Sequence, residues 1–288
     1  MNINNIKVLA CVDRSSYAEY VAKAAAWAAK ALGSELELLH ILDRHPEQGG
    51  SEDHSGTIGF NAQEALLNEL AQKDQIRVKE MREAGRLFLG ELREKAYAAG
   101  AEQVDIRQRH GELQETVIEQ EKAISLLVLG RRGESAQTTQ RDLGGNVERL
   151  IRSLNKPILT VTDTFKEPQR ALIAFDGSSA TCKCIEMICE QPLLKGVAIH
   201  VVMAGDKRQE ADKHLNWAES RLSNAGFNVK TSYVAGDPET VIAHAIKEES
   251  IDLLVMGAYS HSPIRSMIFG SKTNELLRSA RVPTLLVR

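Results

Sequence analysis

Apolar and polar positions alternate in blocks along this chain, and the blocks change period. "KVLACV", "LLVLG" and "PILTV" are short and almost wholly apolar. Such runs are buried on both faces, as strands are in a parallel sheet covered by helices. Between them lie longer stretches with helical periodicity. The first half reads as strand 6–12, helix 16–32, strand 35–41, helix 62–99, strand 103–109, helix 112–122, strand 125–129, helix 145–154 and strand 157–162. Strands alternating with helices imply right-handed βαβ units.

The pattern then starts again. "IKVLACVDRSS" near the beginning is matched by "RALIAFDGSS" at 170–179, an apolar run ending in Asp, one residue, then Ser-Ser. "ELELLHILD" is matched by "GVAIHVVMAGD", which sets His40 opposite His200. "HGELQETVIEQEKAISLLVLG" answers "AGDPETVIAHAIKEESIDLLVMG", and "GGNVERLIRSLNKPILTVT" answers "GSKTNELLRSARVPTLLVR". Four segments in the same order mark a tandem duplication. The polar stretch "DTFKEPQR" separates the copies, giving domains 1–163 and 170–288. Each is expected to be a three-layer α/β/α sandwich, Rossmann-like, with a five-stranded parallel sheet. The surplus length of the first copy falls at 43–99. There a glycine-rich polar loop, "DRHPEQGGSEDHSGTIG", precedes a long, highly charged helix, which reads as a solvated surface helix able to dock a partner.

Composition narrows the functional classes. The 288 residues are 43% hydrophobic and 26% charged, with a net charge of -3. That balance gives no support for a general nucleic-acid binder. No apolar run approaches a membrane span, and the first residues read as a strand entered directly, without a secretory leader. Three of the four cysteines, Cys182, Cys184 and Cys189, share one predicted helix; Cys11 stands alone. A disulfide framework does not fit, so the expected location is the cytoplasm and the expected role of the thiols is packing.

The candidate chemistry sits where strands end. In a doubly wound sheet, ligands bind beyond the carboxyl ends of the strands. Each copy places an Asp after its first strand (Asp13, Asp176) and a glycine after its fourth (Gly130, Gly257). Each also opens its next helix with a glycine pair or Gly-Ser (Gly144-Gly145, Gly270-Ser271). Glycines let backbone approach phosphate oxygens, and N–H groups at a helix start receive anions. The Asp can accept from a ribose hydroxyl or an adenine amine. The same residues also serve simple turns and caps: Asp-Gly-Ser-Ser at 176–179 is a good capping sequence in its own right. Loop cations, Arg131, Arg132 and Arg141 in the first copy and His261 and Arg265 in the second, are within reach of phosphates in this reading. His45, Asp53 and His54 form a candidate metal cluster, or a solvated loop. His40 and His200 read as satisfied core or rim histidines. A Walker A loop, a Rossmann Gly-x-Gly-x2-Gly after the first strand and a nucleophile elbow are all absent, and no acid–base pair can be named for catalysis.

Together, the duplication, the strand-end Asp, the apolar strand running into glycine and the Gly-Ser that opens a helix resemble the universal stress protein family over nearly all of both copies. The family's nucleotide-binding branch carries Gly-x2-Gly-x9-Gly-Ser/Thr after the fourth strand. The second copy reads Gly257-Ala-Tyr-Ser260, nine residues, then Gly270-Ser271, with Ser260 in place of the second glycine. The first reads Gly130-Arg-Arg-Gly133, ten residues, then Gly144-Gly145-Asn146, one residue longer and without Ser/Thr. The resemblance implies an adenine-nucleotide alpha-hydrolase-like fold whose last strands pair, here within one chain, as an intramolecular pseudo-dimer. It implies a nucleotide site at Asp176, Gly257, Ser260, Gly270, Ser271 and Thr273, and a second at Asp13, Gly130, Gly133, Gly144, Gly145 and Asn146. The expected ligand is ATP, alone or with Mg2+. The expected role is a stress-response sensor or regulator acting through an unidentified protein partner, in a chain that also has the option of homodimerising. The alternatives are a degenerate scaffold without nucleotide and a slow ATPase.

Overall fold

The computed structural model describes residues 6–42, 60–133, 144–205, 210–257 and 280–288; within the long second helix, the side chains of 60–71 and 74 lie outside this set. The first copy contains β1 (Lys7–Cys11), α1 (Ala18–Leu32), β2 (Glu35–Leu42), α2 (Phe60–Ala98), β3 (Val104–His110), α3 (Leu113–Glu119), β4 (Ile124–Gly130), α4 (Gly145–Ser153) and β5 (Ile158–Val161). The second contains β6 (Arg170–Ala174), α5 (Ser179–Glu190), β7 (Ala198–Ala204), α6 (Ala211–Asn224), β8 (Val229–Val234), α7 (Pro238–Glu248), β9 (Leu253–Gly257) and β10 (Thr284–Val287).

The strands form one ten-stranded sheet in the order β3-β2-β1-β4-β5-β10-β9-β6-β7-β8. Every pairing is parallel except the central one, where β10 runs antiparallel to β5. Read outward from that joint, both copies have the same strand order, so the tandem is its own pseudo-dimer. At the joint Thr284 faces Thr160, Leu285 faces Leu159 and Leu286 faces Ile158. Both threonines are fully buried, and the Thr160 hydroxyl donates to the Thr284 carbonyl at 3.3 Å.

Alternation along each strand builds the three layers. In β1, Val8 and Ala10 join a core with α1, α2, α5 and α6, while Leu9 and Cys11 join a second core with α3, α4 and α7. Both cores run through both copies, so the joint is a continuation of the interior. Seven alanines of α1 are buried; their small side chains bring the helix close to the sheet. The helix stops at Gly33 in the left-handed conformation (φ 61°), whose N–H reaches the carbonyls of Ala29 and Lys30, the glycine terminator that needs no Cβ penalty. In α2, Leu89, Leu92 and Ala96 are buried, whereas Gln75–Glu83 are all exposed. The helix therefore leaves the sheet edge at Gly85, and among its described side chains those of the C-terminal part are core. No helix among the described residues is long and apolar enough to cross a membrane.

The connection between the copies is pinned. Asp252, at the entrance to β9, accepts from the N–H groups of Gln169 (3.0 Å) and Arg170 (3.1 Å) and pairs with Lys166 at 2.6 Å. Phe165 packs a tilted ring on Trp27, centroids 6.0 Å apart. Burial opposes ionisation of Asp252, yet the Lys166 ammonium and the two N–H donors hold its carboxyl below the usual range. On β7, His200 Nε2 meets the Ser232 hydroxyl at 2.8 Å. Its Nδ1 lies 2.8 Å from Glu249 but out of hydrogen-bonding alignment. Burial pushes the imidazole of His200 below its usual 6.5 despite Glu249. Glu249 is itself held low against burial by Lys230 and His200.

These three groups have the same sign in acid. The folded chain binds protons at His200, Glu249 and Asp252 less readily than the unfolded chain does. Stability is therefore full above the ordinary histidine value and is lost as pH falls, through His200 first and then through the carboxylates. Urea-unfolding midpoints should be level from about pH 8 to 7 and fall steadily towards pH 4. The His200→Gln variant should lose the part of the slope above about pH 5. A midpoint that rises on acidification would contradict this assignment.

Candidate functional site

The first copy brings most of its candidate residues near one another. β1 ends at Cys11 and the chain turns at Asp13, whose Oδ1 accepts from the Ser15 N–H at 3.1 Å, a short local turn that fixes the carboxylate. β4 delivers Gly130, which is packed so tightly that a Cβ would lie 3.0 Å from the Tyr17 Cβ and 3.1 Å from the Arg132 carbonyl. The turn Gly130-Arg131-Arg132-Gly133 then folds back over the end of β1. A Cβ on Gly133 would lie 2.8 Å from Asp13 Oδ2. That is closer than real Cβ contacts come, so glycine is what admits the carboxylate here. Gly144 closes the cluster: its N–H donates to the Arg131 carbonyl at 3.1 Å, and its Cβ position is 3.6 Å from the Gly133 nitrogen.

Behind Gly144, α4 begins. Gly144 is its N-cap and supplies no side-chain cap. The Gly144 carbonyl accepts from Val147 (2.9 Å) and Glu148 (3.2 Å). Among the described residues, a Cβ on Gly145 would meet nothing within 4 Å, and Gly145 and Asn146 are exposed. The helix start thus presents backbone N–H groups over open space, where the helix dipole favours an anion. Asp13, Gly130, Gly133 and Gly144 are brought together; Gly145 and Asn146 follow on the first turn of α4.

Arg131 departs from the expectation of a phosphate contact. It is buried, and its guanidinium turns away to the second copy, where it donates to the carbonyls of Ala280 and Val282 (2.9 Å) and to the Thr284 hydroxyl (3.3 Å). Burial lowers its pKa to about 10, so it stays charged at neutral pH. The competing demand is the joint: the β10 approach offers carbonyls that need a donor.

In the second copy, Asp176 and Gly257 are described; Ser260, Gly270, Ser271 and Thr273 lie outside the described residues, as do Arg141, His261, Arg265 and the cluster His45, Asp53, His54. Asp176 Oδ1 accepts from the Ser178 N–H and the Thr181 hydroxyl, both at 2.9 Å, while Ser178 is the N-cap of α5. Gly257 packs on that helix's first turn, its Cβ position 3.3 Å from Ala180 and Thr181 atoms. One neighbour had no sequence signal. His214, from α6, lies over Gly177 (φ 73°), its Nδ1 2.1 Å from where a Cβ would stand. Only three-dimensional packing could disclose it.

The other candidates are accounted for by packing. His40 Nδ1 pairs with the Val12 carbonyl at 2.9 Å, and its ring meets Phe88 edge-on at 5.4 Å. All four cysteines are free thiols, with Cys11 and Cys184 buried. Burial pushes both of these up to about 12, far from the thiolate that chemistry would need. Among the described residues no group of three or more His, Cys, Asp or Glu could hold a metal.

The sheet order and the glycine turns at its carboxyl edge define an α/β protein of the Rossmann-like class, two copies joined by their last strands. The sequence pattern of the universal stress protein family matches residues 5–162 and 202–288, and the chain belongs to that family. It is 32% identical to universal stress protein Slr1230 of Synechocystis over 98% of this chain and 99% of that one. A universal stress protein from Archaeoglobus fulgidus has the same fold end to end, with a TM-score of 0.71, 18% identity and 99% of both chains covered. A further structure, from Pseudomonas aeruginosa, aligns with a TM-score of 0.60 and 16% identity over 98% of this chain and 92% of that one.

Proposed function

We propose that this chain is a stress-response protein that binds an adenine nucleotide, ATP foremost, and signals its occupancy through contacts with a protein partner in the cytoplasm. The observation that carries the reading is the closure of the Gly133 turn on Asp13 beside the uncapped start of α4. A carboxylate acceptor for a nucleoside and N–H donors for phosphates stand side by side, with Gly133 leaving the carboxylate its place. Asp13 would take the nucleoside; Gly133, Gly144, Gly145 and Asn146 would line the phosphates, with Mg2+ as their counter-ion. Domains 1–163 and 170–288 each bring such a loop in this reading, the second through Gly257, Ser260, Gly270, Ser271 and Thr273.

A second reading is favoured by one observation in the second copy. Asp176 and Gly257 are already used in capping and packing α5, which suits a copy that has become scaffold. A slow ATPase is the enzymatic version of the first reading.

Thermal unfolding with and without ATP and Mg2+ tests the proposal. Nucleotide at 100-fold over its Kd should add about 2.7 kcal/mol of stability and raise Tm by several degrees, with AMP acting less. An unchanged Tm at millimolar ATP would contradict it. Phosphate release measured in the same samples separates a binder from an ATPase.

A further inference from the structure

A cavity of about 550 Å³ opens where α2 leaves the sheet edge, lined by Lys79, Arg82, Glu83, Arg86, Gln108 and His110. Positions 79, 82, 83 and 86 follow one helical face, spaced three and four apart. Gln108 and His110 come from β3, the outermost strand. The lining is rich in donors. Arg86 is clamped on Glu83, with Nη2–Oε1 2.7 Å and Nε–Oε2 3.1 Å, so the one carboxylate is already neutralised. Among the described residues neither Lys79 nor Arg82 has an ion-pair partner. This cationic excess stands on a chain whose net charge is -3.

Two further observations point to a ligand. Gln108 Nε2 is buried and, among the described residues, has no hydrogen-bond acceptor, which is costly unless something completes it. And the Gln108 amide occupies the place a side chain at 85 would take: a Cβ on Gly85 would lie 2.1 Å from Nε2. Glycine inside a helix is destabilising relative to alanine. Here the missing Cβ leaves room for the Gln108 amide against the helix, at the wall of the cleft.

We propose that this cleft is a binding site for a phosphate-class oxyanion carried by a small molecule, separate from the nucleotide loops. Lys79 and Arg82 supply the counter-charge, Arg86 is held in the wall by Glu83, and the Gln108 amide turns off Gly85 to give the oxyanion the N–H that now lacks an acceptor. His110 borders the same cleft.

Pyrophosphate is the probe, added to the full-length chain with its glutamine side-chain amides labelled for NMR. The Gln108 resonance, assigned by its loss in Gln108→Leu, should shift saturably. Lys79→Ala with Arg82→Ala should weaken that binding at least about tenfold. Gly85→Ala should weaken it too, by displacing the amide, while leaving the fold as stable or more so, which a merely structural role for Gln108 does not predict. The same shift should persist in Gly133→Val, so loss of the nucleotide reading leaves this one standing. A Gln108 resonance that does not move, or one whose shift survives removal of both cations, overturns the assignment.

Discussion

Gly133→Val should abolish nucleotide binding in the first copy while leaving the fold intact. The substituted Cβ would stand 2.8 Å from Asp13 Oδ2, so the carboxylate must leave the place where it would meet a nucleoside. The two added methyl groups would then occupy the phosphate approach beside Gly144. Losing a charge-assisted hydrogen bond costs about 1.5–3 kcal/mol, and steric exclusion adds to that, so affinity should fall about 100-fold or more. Gly133 lies on a half-buried turn without positive φ, so the unfolding free energy should change by less than about 1 kcal/mol. Calorimetric titration with ATP checks the first effect and urea unfolding the second. Equal affinity in wild type and variant would remove the Gly133–Asp13 pair from the site.

Arg131→Met should be among the most destabilising single changes in the chain. The guanidinium satisfies the carbonyls of Ala280 and Val282 and the Thr284 hydroxyl at the antiparallel joint. Methionine fills similar space but donates nothing, leaving the Ala280 carbonyl unmet and the Val282 carbonyl with only the Thr284 hydroxyl, 3.4 Å away. Each unmet buried group costs about 1–3 kcal/mol, part of which is recovered by no longer burying a charge. A net loss of about 3 kcal/mol is expected, read as a lower urea midpoint. Because the group is buried, the loss should be nearly independent of salt. Arg131→Lys should lie between, since one ammonium cannot span three acceptors. An Arg131→Met midpoint equal to wild type would mean that the bonds across the joint carry no net stability.

The fold was unusually legible, for physical reasons that can be named. "KVLACV" and "LLVLG" have no polar face, so they had to be central parallel strands, and they are β1 and β4. The repeat of "PILTV" as "PTLLV" pointed to equivalent end strands, and they pair antiparallel at the joint. The site was legible only as a set of turns. Gly130, Gly133 and Gly144 could be read as backbone-permissive positions, and the structure gathers them around Asp13. What Arg131 does was not legible: beside Arg132 it has the same local context, and only the approach of the second copy decides which arginine is buried. Gly85 and Gln108 were equally silent, because a helix glycine and a strand glutamine 23 positions apart acquire meaning only when α2 lies across β3.

The claim at the centre of this account is that ATP occupies the loop between β4 and α4. A crystal structure of the full chain grown with Mg2+ and a non-hydrolysable ATP analogue tests it most directly. The account predicts the triphosphate against Gly133, Gly144 and Gly145, with a nucleoside hydroxyl or amine on Asp13. An analogue found elsewhere, or none at saturating concentration with that loop ordered, would contradict it.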